Sequence, residues 1–327
     1  GTSTNGSGAF GASINILTDI VSDQPYAELS SSFGSYNTLK NTIKFSTGKI
    51  NDYFELSGRL SKIDSDGYVD RAYSDLKSYF IQGTYTNGST LIKAISFGGH
   101  EKTYQAWDGL SMDQVLENRR QNPLTYENEI DNYKQDHFQL HWNEKINNYW
   151  SFNLGLNYTD GRGYFEQYKE DDDINTYGGI VKSDIDSNGN ETGTTDLIRR
   201  RWLDNDFYVL NSSINYIKDK IDLTLSSSYS SYIGDHYGEV IWARSLSNTG
   251  EIRDRYYEGL GEKKDLSFFA KLLYSINKKT ELYTDIQFRG IKYNTSGITS
   301  DLINMVLDKS YNLSLIHISE PTRLRHI

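Results

Sequence analysis

Between residues 25 and 295 the chain is written in twos. Trp150, Phe152, Leu154, Leu156 and Tyr158 alternate with Ser151, Asn153, Gly155, Asn157 and Thr159. On a strand successive side chains point to opposite faces, so this segment has one oily face and one wet face. Phe54–Ser61, His137–Trp142, Ile221–Ser226 and Leu266–Tyr274 repeat the pattern, and weaker versions cover about 25–35, 38–50, 76–86, 89–101, 206–217 and 280–293. That makes eleven expected strands, each near the ~9–11 residues that cross a bilayer when tilted.

The connections narrow the architecture. Asn51-Asp52, Asn87-Gly88, Asn147-Asn148, Lys218-Asp219-Lys220 and Asn277-Lys278-Lys279 are tight hairpin turns. In strict alternation with them come connections at about 36–37, 64–75, 102–135, 160–205 and 234–263, all but the first long. Short turns at one end and long loops at the other define an up-and-down sheet with two unlike ends, as in an outer-membrane barrel. A soluble sandwich or propeller has shorter strands and does not sort its loops by length. The expected fold is all-β, a partial up-and-down antiparallel transmembrane β-barrel.

Composition agrees. Apolar residues are 36 % of the chain and mean hydropathy is −0.64. No apolar run approaches the ~18–20 residues of a spanning helix, but only alternate residues of a membrane strand need be apolar. The 26 Tyr suit interfacial aromatic girdles. No Cys excludes disulfides and a thiol nucleophile, and a net charge of −10 argues against nucleic acid as a partner. No nucleophile–base pairing, P-loop or dinucleotide fingerprint is found, so the reading is transport, not enzymatic catalysis, with no cofactor.

The chain opens GTSTNGSGAFGASINILTD. Gly6, Gly8 and Gly11 allow tight turns in a crowded space, Phe10 sits among them, and Ala12–Leu17 alternates, as a flexible Ser/Gly linker would not. This stretch resembles the end of the plug domain of TonB-dependent outer-membrane receptors of Gram-negative, Bacteroidetes-type bacteria. In that family a glycine-rich turn and a G-x-I-N-I-x-T strand precede the first barrel strand. Phe54–Asp70 and Arg199–Phe207 also look like this family. The resemblance runs from residue 1 to about 295.

The resemblance implies residues 1–22 as a plug remnant, 23–295 as about half of a 22-stranded barrel, and 296–312 as the start of a truncated loop. It implies an outer-membrane location, contact with membrane lipid and lipopolysaccharide, and TonB as periplasmic partner. External loops and plug would capture a scarce ligand, ferric siderophore by family frequency, with cobalamin, haem and glycans open. A plug-less adhesin or structural barrel and a secreted carbohydrate-binding β-protein are the rival readings. Leu313–Arg323 reads as the translation of a sequencing-library transposon adapter, so 313–327 is set aside as an artefact.

Candidate ligand-binding residues are placed in the expected loops. Arg199, Arg200 and Arg201 beside Trp202 would suit an anionic ligand. Trp107, Trp242, Tyr256 and Tyr257 would stack on it or pack the loops. Glu170–Asp173 reads as a solvated acidic run or a loop calcium site, and Asp184–Gly189 begins like a calcium loop but lacks the closing Glu, which favours a turn at Asn188-Gly189. His137 and His141 would sit about 13 Å apart on a strand, too far to share a zinc ion, and read as lumen-facing polar residues.

Overall fold

Most of the described residues lie in one antiparallel ladder. The computed structural model describes residue 18 and residues 21–319. Its strands are β1 (Tyr26–Gly34), β2 (Thr38–Ser46), β3 (Phe54–Ser65), β4 (Ser74–Thr86), β5 (Thr90–Tyr104), β6 (Ile130–Lys145), β7 (Trp150–Asp173), β8 (Thr194–Lys218), β9 (Ile221–Ala243), β10 (Arg255–Asn277), β11 (Thr280–Ile298) and β12 (Asn304–Ser319). They form a single sheet in sequence order, each paired with the next. One short helix, α1 (Met112–Asn118), interrupts the loop between β5 and β6.

The tight turns have the residues their geometry needs. Tyr36-Asn37 and Asn51-Asp52 have positive φ at both positions and lie within the three-residue loops that close the pairs Gly34↔Thr38 and Ile50↔Phe54. Asn147 Oδ1 accepts from the N–H groups of Tyr149 and Trp150 at 2.9 and 3.0 Å, closing the β6–β7 turn.

Polarity across the sheet is inverted relative to a soluble protein. The face bearing Phe138, Leu140, Trp142, Leu225 and Phe268, here the outer face, is uncovered, with Phe268 48 % exposed. Leu154 and Leu223 are likewise partly exposed. The opposite, inner face buries Ser46, Glu55, Gln82, Thr84 and Thr159. Leaving a large apolar side chain in water costs roughly 1.5–3 kcal/mol. A face of such residues would outweigh the whole ~5–15 kcal/mol stability of a domain, so the outer face requires an apolar medium. Aromatics flank it at both levels. Trp150 meets Tyr216 and Phe54 meets Tyr85 near the short turns, while Tyr158 stacks on Phe138 and Tyr208 nearer the loops.

Two expectations are corrected. The long connections expected at 160–205 and 234–263 are largely strand: β7 to β10 run 23 to 25 residues, leaving only 174–193 and 244–254 between them. Beyond the membrane both faces of a strand are wet, so the alternation that marks the strand fades while its hydrogen bonds continue. Second, the described residues hold twelve strands where about eleven were expected. Residues 304–319, read as a truncated loop and an excluded tail, pair with β11 from Ile298↔Asn304 to Tyr283↔Ser319. A strand edge pairs through its backbone and accepts an extended chain whatever its side chains.

Candidate functional site

Above the apolar rows the strands leave the membrane level and two things are built from them. The first is a loop core. Residues 174–193 fold back so that Tyr177, Ile180 and Val181 pack on Leu197, Val240 and Tyr256, all buried. Ion pairs lock it. Asp184 accepts from Ser245 Oγ at 2.6 Å, Thr195 Oγ1 at 3.0 Å and Arg244 Nη1 at 3.0 Å. Asp196 accepts from Tyr168 Oη at 2.6 Å and from the other Arg244 nitrogen. Burial raises both carboxyls, but these donors outweigh it and hold both below the usual carboxylate range. Asp186 accepts from the N–H groups of Asn188 and Asn190 at 2.8 Å each, the expected turn at Asn188-Gly189.

The second is a pocket of about 540 Å³ on the inner face of β7 to β11, beside that core. Phe165, Arg201, Tyr232, His236, Tyr257 and Tyr293 wall it. Register brings them together: Phe165 pairs with Arg201, Arg201 with Gly238, and Gly238 with Tyr257. Gly259 and Gly261 line it where added Cβ atoms would meet only backbone carbonyl oxygens, at 3.9 Å. Gly238 is obligatory, since a Cβ there would lie 2.4 Å from the Tyr257 ring. The Arg201 guanidinium lies over the Tyr257 ring at 5.4 Å. Its Nε is buried without a hydrogen-bond partner. Such a charged donor is costly unless an acceptor arrives. Burial holds the Tyr257 hydroxyl above the usual phenol range, although Arg201 pulls it down.

The arginine cluster does not converge. Alternation turns Arg200 to the outer face, where it pairs with Glu166 at 2.8 Å and covers the Tyr164 ring. Arg199 is tied to Gln167 at 3.0 Å and to Tyr177 Oη at 3.2 Å, inside the loop core. Only Arg201 faces the pocket. Trp202 borders it but stacks on Tyr237, meets the tilted Tyr164 ring and donates to Glu239 at 2.9 Å. Trp107, half exposed, meets Phe165 edge-on at 5.5 Å and so adjoins the pocket. Trp242 is exposed near the end of β9, and Tyr256 is a core residue at 3 % exposure. Arg199–Trp202, Trp242 and Tyr256 thus lie on strands, where the sequence reading had loops. Gly6, Gly8, Phe10 and Gly11 lie outside the described residues.

Sequence reasoning singled out Tyr257 but missed Phe165, Tyr232, His236 and Tyr293. Counting in twos from the apolar rows puts them on the inner face, but only the pairing register sets them at one level. His137 faces inward as expected, stacked on Phe97 at 4.4 Å and bonded to Thr159 at 2.8 Å.

No protein-family model and no curated protein matches the chain. Solved structures do. The siderophore receptor PiuA from Acinetobacter baumannii aligns with a TM-score of 0.65 at 10 % identity over 96 % of this chain and 49 % of its own. The ferric-catecholate import receptor Fiu from E. coli K12 aligns at 0.64 and 10 % identity over 91 % and 52 %. The copper transporter OprC aligns at 0.60 and 8 % identity over 90 % and 42 %. The chain spans about half the length of the solved structures it matches. Its fold is that of about half the barrel of TonB-dependent outer-membrane receptors.

Proposed function

We propose that this chain forms half the barrel of a TonB-dependent receptor in the outer membrane, and that its loop-end pocket takes part in capturing a scarce anionic ligand, a ferric siderophore first among them. The observation that carries the reading is a conjunction. The sheet is apolar outside and polar inside, its long connections lie at one end, and at that end the inner face holds a pocket where the Arg201 guanidinium, its Nε without a hydrogen-bond partner, lies among aromatic rings. A ferric chelate bearing carboxylate or phenolate oxygens would accept from Arg201, and its flat groups would lie against Tyr232, Tyr257 and Tyr293.

Contacts of the chain's first described residues support a plug on the inner face. Lys93 Nζ donates to Thr18 Oγ1 at 2.9 Å, and the Ser22 N–H donates to Glu55 Oε1 at 3.0 Å. In this reading TonB acts on that plug to release the ligand inward, with no covalent chemistry.

The test is a fluorescence titration of the detergent-solubilised chain with ferric catecholate and ferric citrate, Trp107 and Trp202 serving as reporters. Saturable quenching is expected, weakened at least tenfold by Arg201→Ala and unchanged by Arg200→Ala on the other face. Equal loss in both variants, or no saturation with either chelate, rejects the pocket as the binding site. Ligand-dependent capture of the full receptor by the periplasmic domain of TonB tests the transport step.

A further inference from the structure

The seam between the loop core and the pocket holds a second arrangement. The register of β10 shifts between Arg255 and Tyr257, and both Tyr256 and Tyr257 lie over Gly238, where an added Cβ would meet their rings at 2.5 and 2.4 Å. The Tyr256 ring is met edge-on by Tyr177 at 4.9 Å and by Tyr257 at 5.0 Å. Arg201 is the direct cross-strand partner of Gly238, and Arg199, on the same face of β8, is that of Val240. Two guanidiniums therefore stand against one group of phenols.

Charge at this seam does not balance. The carboxylates around it are engaged by other cations: Glu166 by Arg200, Asp184 and Asp196 by Arg244, and Glu239 by Arg253. Arg199 bonds instead to the neutral groups of Gln167 and Tyr177. Tyr177 Oη donates in turn to Asp172, so that carboxylate reaches Arg199 only through a phenol. A partly buried charge is costly unless it is paired.

Two donors sit in this excess of positive charge with nothing to donate to. Arg201 Nε and Tyr256 Oη are both buried without a hydrogen-bond partner, and Tyr256 as a whole is 3 % exposed. Burial holds the Tyr256 hydroxyl above the usual phenol range, against the pull of Arg199 and Arg201, so it keeps its proton at neutral pH and stays a donor. A water between the two would accept both bonds but bring two protons of its own. An anion accepts both and also offsets the charge. Enclosure selects its size. Arg201 and Tyr257 wall the 540 Å³ pocket, but Tyr256 does not. The Tyr256 donor is thus closed to a chelate and suits only a small ion.

We propose that Arg201 Nε and Tyr256 Oη, with Arg199 alongside, form a binding site for a small monovalent inorganic anion of the halide class, which ties the loop core to the pocket wall. This ion is distinct from the captured ligand. A guanidinium has five donors, so an ion on Nε leaves the others to a chelate in the pocket. With the ion in place the two guanidiniums no longer repel at the edge of the core. Residues 174–193 are then held down through Tyr177, which packs in the same core as Tyr256.

The experiment follows limited proteolysis of residues 174–193 in the detergent-solubilised chain in sodium chloride, bromide or sulfate at equal ionic strength, with chloride NMR line broadening as a direct readout of binding. Chloride and bromide are expected to slow cleavage saturably, by about tenfold relative to sulfate, the effect of one hydrogen bond to a charged group. The chloride line should broaden and be restored by bromide. Tyr256→Phe keeps the ring and removes the donor. It should abolish both halide responses and leave chelate quenching of tryptophan fluorescence in place, since Tyr256 does not wall the pocket. Arg201→Gln should abolish the halide responses and chelate binding together, and Lys264→Gln on the outer face should change neither. Equal cleavage in all the salts, which a buried water would give, overturns the site. So does a halide response that survives Tyr256→Phe, or protection by iron-free citrate equal to that by chloride, which would assign the donors to a ligand carboxylate. If Tyr256→Phe does not fold, line broadening on the unaltered chain decides, and its absence rejects the ion. Failure of the halide responses with chelate quenching intact removes this site and leaves the capture reading standing.

Discussion

The same strands, β8 to β10, carry two opposite kinds of packing along their length. Near the short turns Leu225, Ile214 and Phe268 point outward and stay uncovered. Farther along the same strands Leu197, Val240 and Tyr256 are buried under Tyr177 in a core of the kind water builds. The ladder continues through both regions, broken only by register shifts between Ile198 and Arg199 and between Arg255 and Tyr257 at the edge of the core. The medium changes. Where hydrocarbon surrounds the strand, apolar groups gain nothing by hiding. Where water surrounds it, they must be covered, and residues 174–193 cover them.

Breaking the water-built region should have the largest effect. Leu197 is fully buried, and Leu197→Ala should cost about 2–5 kcal/mol of local stability. Limited proteolysis would then cut within 174–193 while the membrane-level strands stay protected. Loss of protection in both regions at once would show that they form one cooperative unit. The lipid-facing region should answer to charge instead. Phe268→Arg should cost roughly 2–4 kcal/mol in reversible folding into vesicles and leave the loop core intact. If the change is neutral in vesicles, Phe268 does not face hydrocarbon.

Acid separates the two regions most gently. Asp184 and Asp196 have folded pKa values below the ~3.9 of an unfolded aspartate. Their contribution is therefore complete above about pH 4 and is lost as pH falls through the folded values. Protease protection of 174–193 should decline below pH 4, with no change between pH 5 and 8. Asp184→Asn/Asp196→Asn should remove that acid step while leaving vesicle insertion unaffected. Persistence of the step in the double variant would place its origin elsewhere.

The site was legible only in part. The Arg199–Trp202 segment was visible as a cationic and aromatic cluster, and Arg201 does face the pocket. Its neighbours were drawn to other tasks by alternation: Arg200 to Glu166 on the outer face, Arg199 to Gln167 and Tyr177 in the loop core. Tyr256 and Tyr257 are adjacent in sequence at a register shift between Arg255 and Tyr257, where Tyr256 is buried in the core and Tyr257 packs against it while walling the pocket. No composition or motif announces a bulge of that kind, which is a property of two strands at once.

The sequence by itself determined the first eleven strands, their order, the tight turns and which rows face outward. It could do so because a membrane-level strand has oil on one side and water on the other, and that contrast is written residue by residue. Only the tertiary structure decided how far β7 to β10 extend, what covers Leu197 and Val240, and which cations share a level. Past the membrane both faces meet water, the contrast vanishes, and side chains separated by tens of residues are brought together by register alone.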